Sequence, residues 1–128
     1  VTRPPFLAVL QSQGARSACL VAAATIAANL FYLGAQPFAA GLFTGHWDKV
    51  AHLGTFSTIA LLGWLGTAGH YPFSVAAVVA AIGALDELHQ STLPGREASW
   101  ADFLCDLLAS SLTCLLLNAI AQRAKRRA

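Results

Sequence analysis

Apolar residues run through this chain in four long blocks separated by short polar stretches. The blocks cover residues 17–34, 50–68, 73–90 and 103–121. A membrane-crossing helix needs about 20 mostly apolar residues, within a range of about 17–25. All four blocks reach that length or come close to it. None carries the continuous polar face that a helix of a soluble bundle presents to water. The pattern predicts an all-α polytopic membrane protein, a single domain over residues 1–128 with four transmembrane helices. Gly69-His70-Tyr71-Pro72 predicts a tight turn between the second and third blocks, and Gln36-Pro37 opens a longer loop that runs to Trp47.

The third block is the most informative. Its purely apolar part, from Phe73 to Leu85, makes only about 20 Å of helix. The hydrocarbon core of a bilayer is about 30 Å thick. The helix must therefore continue through Asp86, Glu87, His89 and Gln90, which places Asp86 near or within the membrane boundary. Within the same block Ala76, Ala80 and Ala84 are spaced by four, as are Ala77 and Ala81. With Gly83 they form a small-residue surface of the kind that lets helices approach closely in lipid.

Composition agrees with the pattern. The chain is 56% hydrophobic and only 11% charged, against about 25% charged for a typical soluble domain. Arg16 ahead of the first block resembles the start of a secretory signal, but the apolar stretch is longer than the 7–15 residues usual there. A retained first span is expected. Cys19, Cys105 and Cys114 lie inside apolar blocks with no CxxC spacing, so neither a zinc ribbon nor a redox pair is indicated. The basic run Arg123, Lys125, Arg126 and Arg127 reads as a topology signal, with no nucleic-acid partner expected.

Charge sets the orientation. With four spans both termini share one side, and that side holds six basic residues: Arg3, Arg16, Arg123, Lys125, Arg126 and Arg127. The other side holds two, Lys49 and Arg96. The positive-inside rule then puts both termini in the cytoplasm. Trp47 and Trp100 fall at the outer interface, where tryptophan is favoured. Asp48, Lys49 and His52 from the second span meet Asp86, Glu87, His89 and Gln90 from the third at one outer level. Asp102 and Asp106 from the fourth reach the same level, with Arg96 in the connecting loop.

Residues three or four apart share a helix face. Asp48 with His52, Asp86 with His89 and Gln90, and Asp102 with Asp106 all have that spacing. Ionisable groups are expensive in a bilayer, so their retention points to one inward-facing functional site. Catalytic candidates are Asp48, His52, Asp86, Glu87, His89 and Asp102. Lys49, Gln90 and Arg96 are candidate substrate-binding residues, with Arg96 able to clamp a carboxylate or phosphate in bidentate fashion. His52, Asp86, His89 and Asp106 could ligate a divalent metal. A His–Asp pair could also move a proton, or the cluster could be an ion pathway. Structural roles compete: Ser99 and Asp102 fit a capping box, Asp48 suits a helix N-terminus, and Arg96 could neutralise Asp86 or Glu87. His46, His70 and Glu97 read as solvated loop groups, and Asn118 as a helix–helix hydrogen-bonding group. No nucleophile elbow or phosphate-cradling glycine loop is present, so the sequence leaves open whether the protein is an enzyme.

The stretch Asp48 to Ala109 resembles the VanZ-like family of small membrane proteins. The matching elements are Asp48-Lys49-x-x-His52 with Phe56, then Asp86-Glu87-x-His89-Gln90, then Pro94-Gly95-Arg96 with Ser99 and Asp102. The family pattern usually has asparagine at the position of Asp106 and glycine at that of Ala109. The resemblance implies an inner-membrane protein that acts on or binds a lipid or lipid-linked cell-envelope component. Through the family's namesake it also implies a contribution to resistance against the glycopeptide antibiotic teicoplanin.

Overall fold

The computed structural model describes residues 12–127 and is built from four α-helices. They are α1 (Gln13–Gly34), α2 (His46–Gly66), α3 (Pro72–Gln90) and α4 (Trp100–Arg126), with a 3-10 turn at Pro37–Ala39. Arg3, one of the residues counted for orientation, lies outside the described residues. Helices α2 and α3 both pack along α4, and α1 lies against α2. Each predicted apolar block became a helix. The helices begin earlier than the apolar runs because polar residues form their first turns. Ser12 caps α1 by accepting the Ala15 N–H, and Ser99 caps α4 by accepting the Asp102 N–H.

Helices α1, α3 and α4 are long and apolar enough to cross a membrane. Helix α2, with 21 residues, is about 31 Å long at 1.5 Å per residue. Its first turns carry His46, Asp48, Lys49 and His52, which interrupt its apolar run. The outside of the bundle is apolar: Val21, Val78, Leu85, Leu88, Leu108, Leu112 and Leu116 are all exposed. The inside holds His52, Asp86, Glu87, Gln90, Asp102, Asp106 and Ser110, all buried. Water-soluble proteins place Asp and Glu inside only when paired and rarely leave so much contiguous apolar surface uncovered. The three apolar helices and this inverted polarity point to a membrane protein.

The buried faces follow one register. On α2 the buried residues include His52, Phe56, Ile59, Ala60 and Trp64. On α4 they are Asp102, Asp106, Ala109, Ser110 and Cys114. Both sets repeat by three and four, the spacing of a single helix face. In each, the ionisable residues occupy the N-terminal turns and the apolar ones lie below, joined on α4 by Ser110. The apolar half of the core joins Phe56, Ile59, Ala60, Val75, Val79, Ala109 and Cys114. The polar half is the upper continuation of those same faces. All three cysteines are free thiols.

At the opposite end, Arg16 of α1 donates from Nε to the Gly66 carbonyl at 3.2 Å. It satisfies one of the last carbonyls of α2, which have no partner within their own helix. Beside it Leu20 fills the space over Gly66, where an added Cβ would lie 2.5 Å from Leu20. Arg16→Ala is expected to lower stability by about 1 kcal/mol, read as a shift in the SDS titration of the detergent-solubilised protein. The turn to α3 passes through Ala68 at φ 54° and Gly69 at φ 67°. Gly69 has Trp64 packed 2.6 Å from where a Cβ would stand, so both its backbone angle and its space require glycine.

Candidate functional site

The polar residues gather where the first turns of α2 and α4 meet the last turns of α3. Three ion-pair or hydrogen-bond links cross or brace this end. Lys49 of α2 pairs with Asp102 of α4. His52 Nδ1 of α2 lies 2.9 Å from Asp106 Oδ1 of α4, with both side chains buried. Within α3, Gln90 Nε2 donates to Asp86 Oδ2 at 2.8 Å.

Glu87 makes the fourth link, and it revises the expected cap of α4. A full capping box would have Asp102 reach back to the Ser99 N–H. Instead the Ser99 N–H donates to Glu87 Oε2 at 2.6 Å, while Asp102 turns to Lys49. Helix α4 is therefore capped partly from α3. In the loop, Arg96 donates from Nη1 to the Ala39 carbonyl at 2.9 Å. That contact ties the α3–α4 connection to the 3-10 turn after α1.

Gly83 sets how closely α3 and α4 approach at this level. A Cβ there would lie 2.8 Å from both Cβ and Oδ2 of Asp106. The small-residue surface read from the sequence thus has one indispensable member. The alanines on the same helix that are not buried are incidental to this contact.

Beside these pairs a cavity of about 540 Å³ opens between α1, α2 and the loops that follow α1 and α3. One wall is polar and holds Asp48, His52, Asp86, Gln90, Arg96 and Asp102. The other is mostly apolar, with Ile26, Leu30, Leu33, Phe38, Leu42 and Phe43, and also carries Asn29. Carboxylates outnumber cationic groups on the polar wall. Glu97, expected to be a solvated loop charge, is exposed and stands at the cavity rim.

Most of the residues singled out in the sequence converge here, with differences in role. Asp48, His52, Asp86, Gln90, Arg96 and Asp102 line the cavity together. Lys49 is half exposed and held by Asp102. His89 does not join them: its ring packs against Phe31 with centroids 5.5 Å apart. For metal ligation the structure groups His52 with Glu87 and Asp106, and His52 with Asp48 and Asp102, the potential ligand atoms of each set lying within 4.8 Å of one another. Neither set contains Asp86 or His89, which were expected to be ligands. Asp86 is engaged by Gln90, and the His89 ring packs against Phe31 of α1. Glu87 enters as a potential ligand that spacing alone left out. Trp47 and Trp100 are both exposed at the helix ends that carry the site.

The fold and site define an all-helical bundle with an apolar exterior and a buried, charged cluster at one end. Compared with protein-family models, with curated proteins and with solved structures, the chain matches none.

Proposed function

We propose that the protein is a VanZ-like inner-membrane protein that binds an amphiphilic cell-envelope component with an anionic headgroup. In this reading α2 is a fourth span, both termini are cytoplasmic and the polar cluster faces outward. The observation that carries the reading is the two-sided cavity. Arg96, Gln90 and His52 meet a headgroup, while Ile26, Leu30, Leu33 and Phe43 cover an apolar chain. Ligand sites commonly combine such an apolar lining with a few placed polar groups. Lys49 neutralises Asp102, which lines the cavity, and so lowers the negative charge there. His52, linked to Asp106, is the group placed to move a proton if the bound component is also transformed. Teicoplanin resistance follows from this reading if the bound component is part of the target that the antibiotic recognises.

The test is teicoplanin susceptibility in a sensitive host expressing the wild-type chain or an equally abundant Asp86→Asn variant. Wild-type expression is expected to protect, and the variant to lose most of that protection, because Asp86 faces the cavity and orients Gln90. Absence of protection by wild-type protein at confirmed membrane abundance counts against the resistance role. Equal protection by both chains counts against the site.

A further inference from the structure

We propose that His52, Glu87 and Asp106 form a binding site for a divalent first-row transition metal ion, zinc or manganese. The three residues come from three different helices: α2, α3 and α4. All are buried, Asp106 at 0% and His52 and Glu87 at 7% exposure. Their potential ligand atoms already lie within 4.8 Å of one another.

A histidine–carboxylate cluster alone could be a network of hydrogen bonds. Two further observations speak for a cation. Glu87 Oε1 and Asp106 Oδ2 are both buried without a hydrogen-bond partner among the described residues. A buried carboxylate oxygen with no donor is costly, and native structures supply it with a proton, a water or an ion. Here two such oxygens occur on neighbouring residues whose partnered oxygens are already accounted for. Glu87 Oε2 takes the Ser99 N–H and Asp106 Oδ1 faces His52 Nδ1. The formal charge also balances. With His52 neutral, as a metal-ligating histidine must be, the two carboxylates carry two negative charges, and in a low-dielectric interior their mutual repulsion is large. One divalent ion neutralises both.

The donor set selects the metal class. Imidazole suits zinc and other transition metals, and carboxylate oxygens suit manganese and magnesium; one nitrogen and two oxygens fit zinc or manganese best. Zinc–ligand bonds of about 2.1 Å place tetrahedral ligand atoms about 3.4 Å apart. The ligand atoms, now within 4.8 Å of one another, draw closer when the ion binds. Three protein ligands leave a fourth position, and His52 also borders the cavity. The alternative cluster of Asp48, His52 and Asp102 is less suited. Lys49 already neutralises Asp102, and Asp48 is only half buried.

This proposal rests on the same polar end of the bundle but not on what fills the cavity. Its test needs neither an antibiotic nor an envelope ligand. The detergent-purified full chain is stripped with chelator, then titrated with Zn²⁺ and with Mn²⁺ by calorimetry. Bound metal is counted by elemental analysis after gel filtration. The expected result is one ion per chain, with Glu87→Gln weakening binding at least tenfold and Asp86→Asn and Asp48→Asn leaving it near wild type. Glu87→Gln keeps side-chain size, and its fold is checked by circular dichroism. Asp106→Asn serves as a second ligand variant. No stoichiometric uptake of either ion by the wild type overturns the proposal. So does wild-type affinity in folded Glu87→Gln, or loss of binding in Asp48→Asn alone, which would move the ion to the other cluster.

Discussion

His52→Leu is expected to destabilise the bundle by about 3–5 kcal/mol, the usual result of removing one partner of a buried ion pair. Asp106 has 0% exposure. Its Oδ1 is held only by His52 at 2.9 Å, and its Oδ2 has no partner among the described residues. Without His52 the carboxylate must take up a proton, draw in water or force the helices apart. The companion variant is His52→Leu combined with Asp106→Asn, which removes the charge but keeps the shape. Most of the lost stability should return, so the two changes will be far from additive. SDS titration in excess chelator measures the pair without any contribution from metal. A loss below about 1 kcal/mol for His52→Leu, or simple additivity in the double variant, would show that the pair is not what neutralises Asp106.

The four helices were legible because long apolar runs leave little choice of structure. In lipid, every backbone N–H and C=O must be satisfied within the segment, which a helix does by itself. The convergence of charge was legible for a related reason. Three segments carried their polar residues at the ends that short connections bring together. Pairs at i and i+4 then put Asp48 near His52, Asp86 beside Gln90 and Asp102 above Asp106. The Asp86–Gln90 bond is that spacing realised directly.

What failed was the choice of inward residues on α3. Asp86 and His89 are three apart and could share a face, so His89 was expected at the site. Each residue of a helix advances by about 100°. Taking Asp86 as zero, Gln90, Gly83 and Glu87 fall at about 40°, 60° and 100°, while His89 falls at about −60°. The buried residues Val75, Val79, Gly83, Asp86, Glu87 and Gln90 occupy that positive arc or its immediate edge. Val75 and Val79 fall at about −20° and 20° on this scale, so the arc they begin does not by itself choose between Glu87 and His89. Contact with α4 through Gly83 decides it, and that contact is long-range.

Other features were not legible because they depend on contacts far apart in sequence. Lys49 and Asp102 are separated by 53 positions and Arg96 and Ala39 by 57. Which cation meets which carboxylate is fixed by the rotation of one helix against another, and no local pattern encodes it. The Glu87–Ser99 bond is of the same kind. It depends on the loop after Gln90 returning over the end of α3. The outcome changes how the charges are read. Lys49 is a partner of Asp102 before it is a receptor for any ligand. Among the described residues Arg96 is the one guanidinium on the cavity wall, where carboxylates outnumber it. A cation at His52, Glu87 and Asp106 would shift that balance towards the anionic headgroup proposed for the cavity.

Gly83→Val is expected to lower stability by about 3 kcal/mol, towards the upper end of the range for overpacking a tight contact. Two effects compete at this position. Replacing glycine within a helix ordinarily helps by reducing the freedom of the unfolded chain, by about 0.5–1 kcal/mol for alanine. Against that, even the first added carbon would stand 2.8 Å from Cβ and Oδ2 of Asp106. The obstacle is not the loose end of a long side chain. Asp106 is short, fully buried and held by His52, so the helices themselves must separate. The clash therefore wins, and valine, with two further methyl groups, makes it worse than alanine. Gly54 of α2 supplies the internal control, since nothing stands within 4 Å of its added Cβ. Gly54→Ala should leave the protein as stable or slightly more so, while Gly83→Ala lowers stability and Gly83→Val lowers it further. If the proposed metal site is correct, Gly83→Ala should also weaken Zn²⁺ or Mn²⁺ binding by moving Asp106. Gly54→Ala should not. A Gly83→Ala protein as stable as Gly54→Ala would mean that α3 and α4 do not meet at this register, and the geometry of the whole polar end would have to be redrawn.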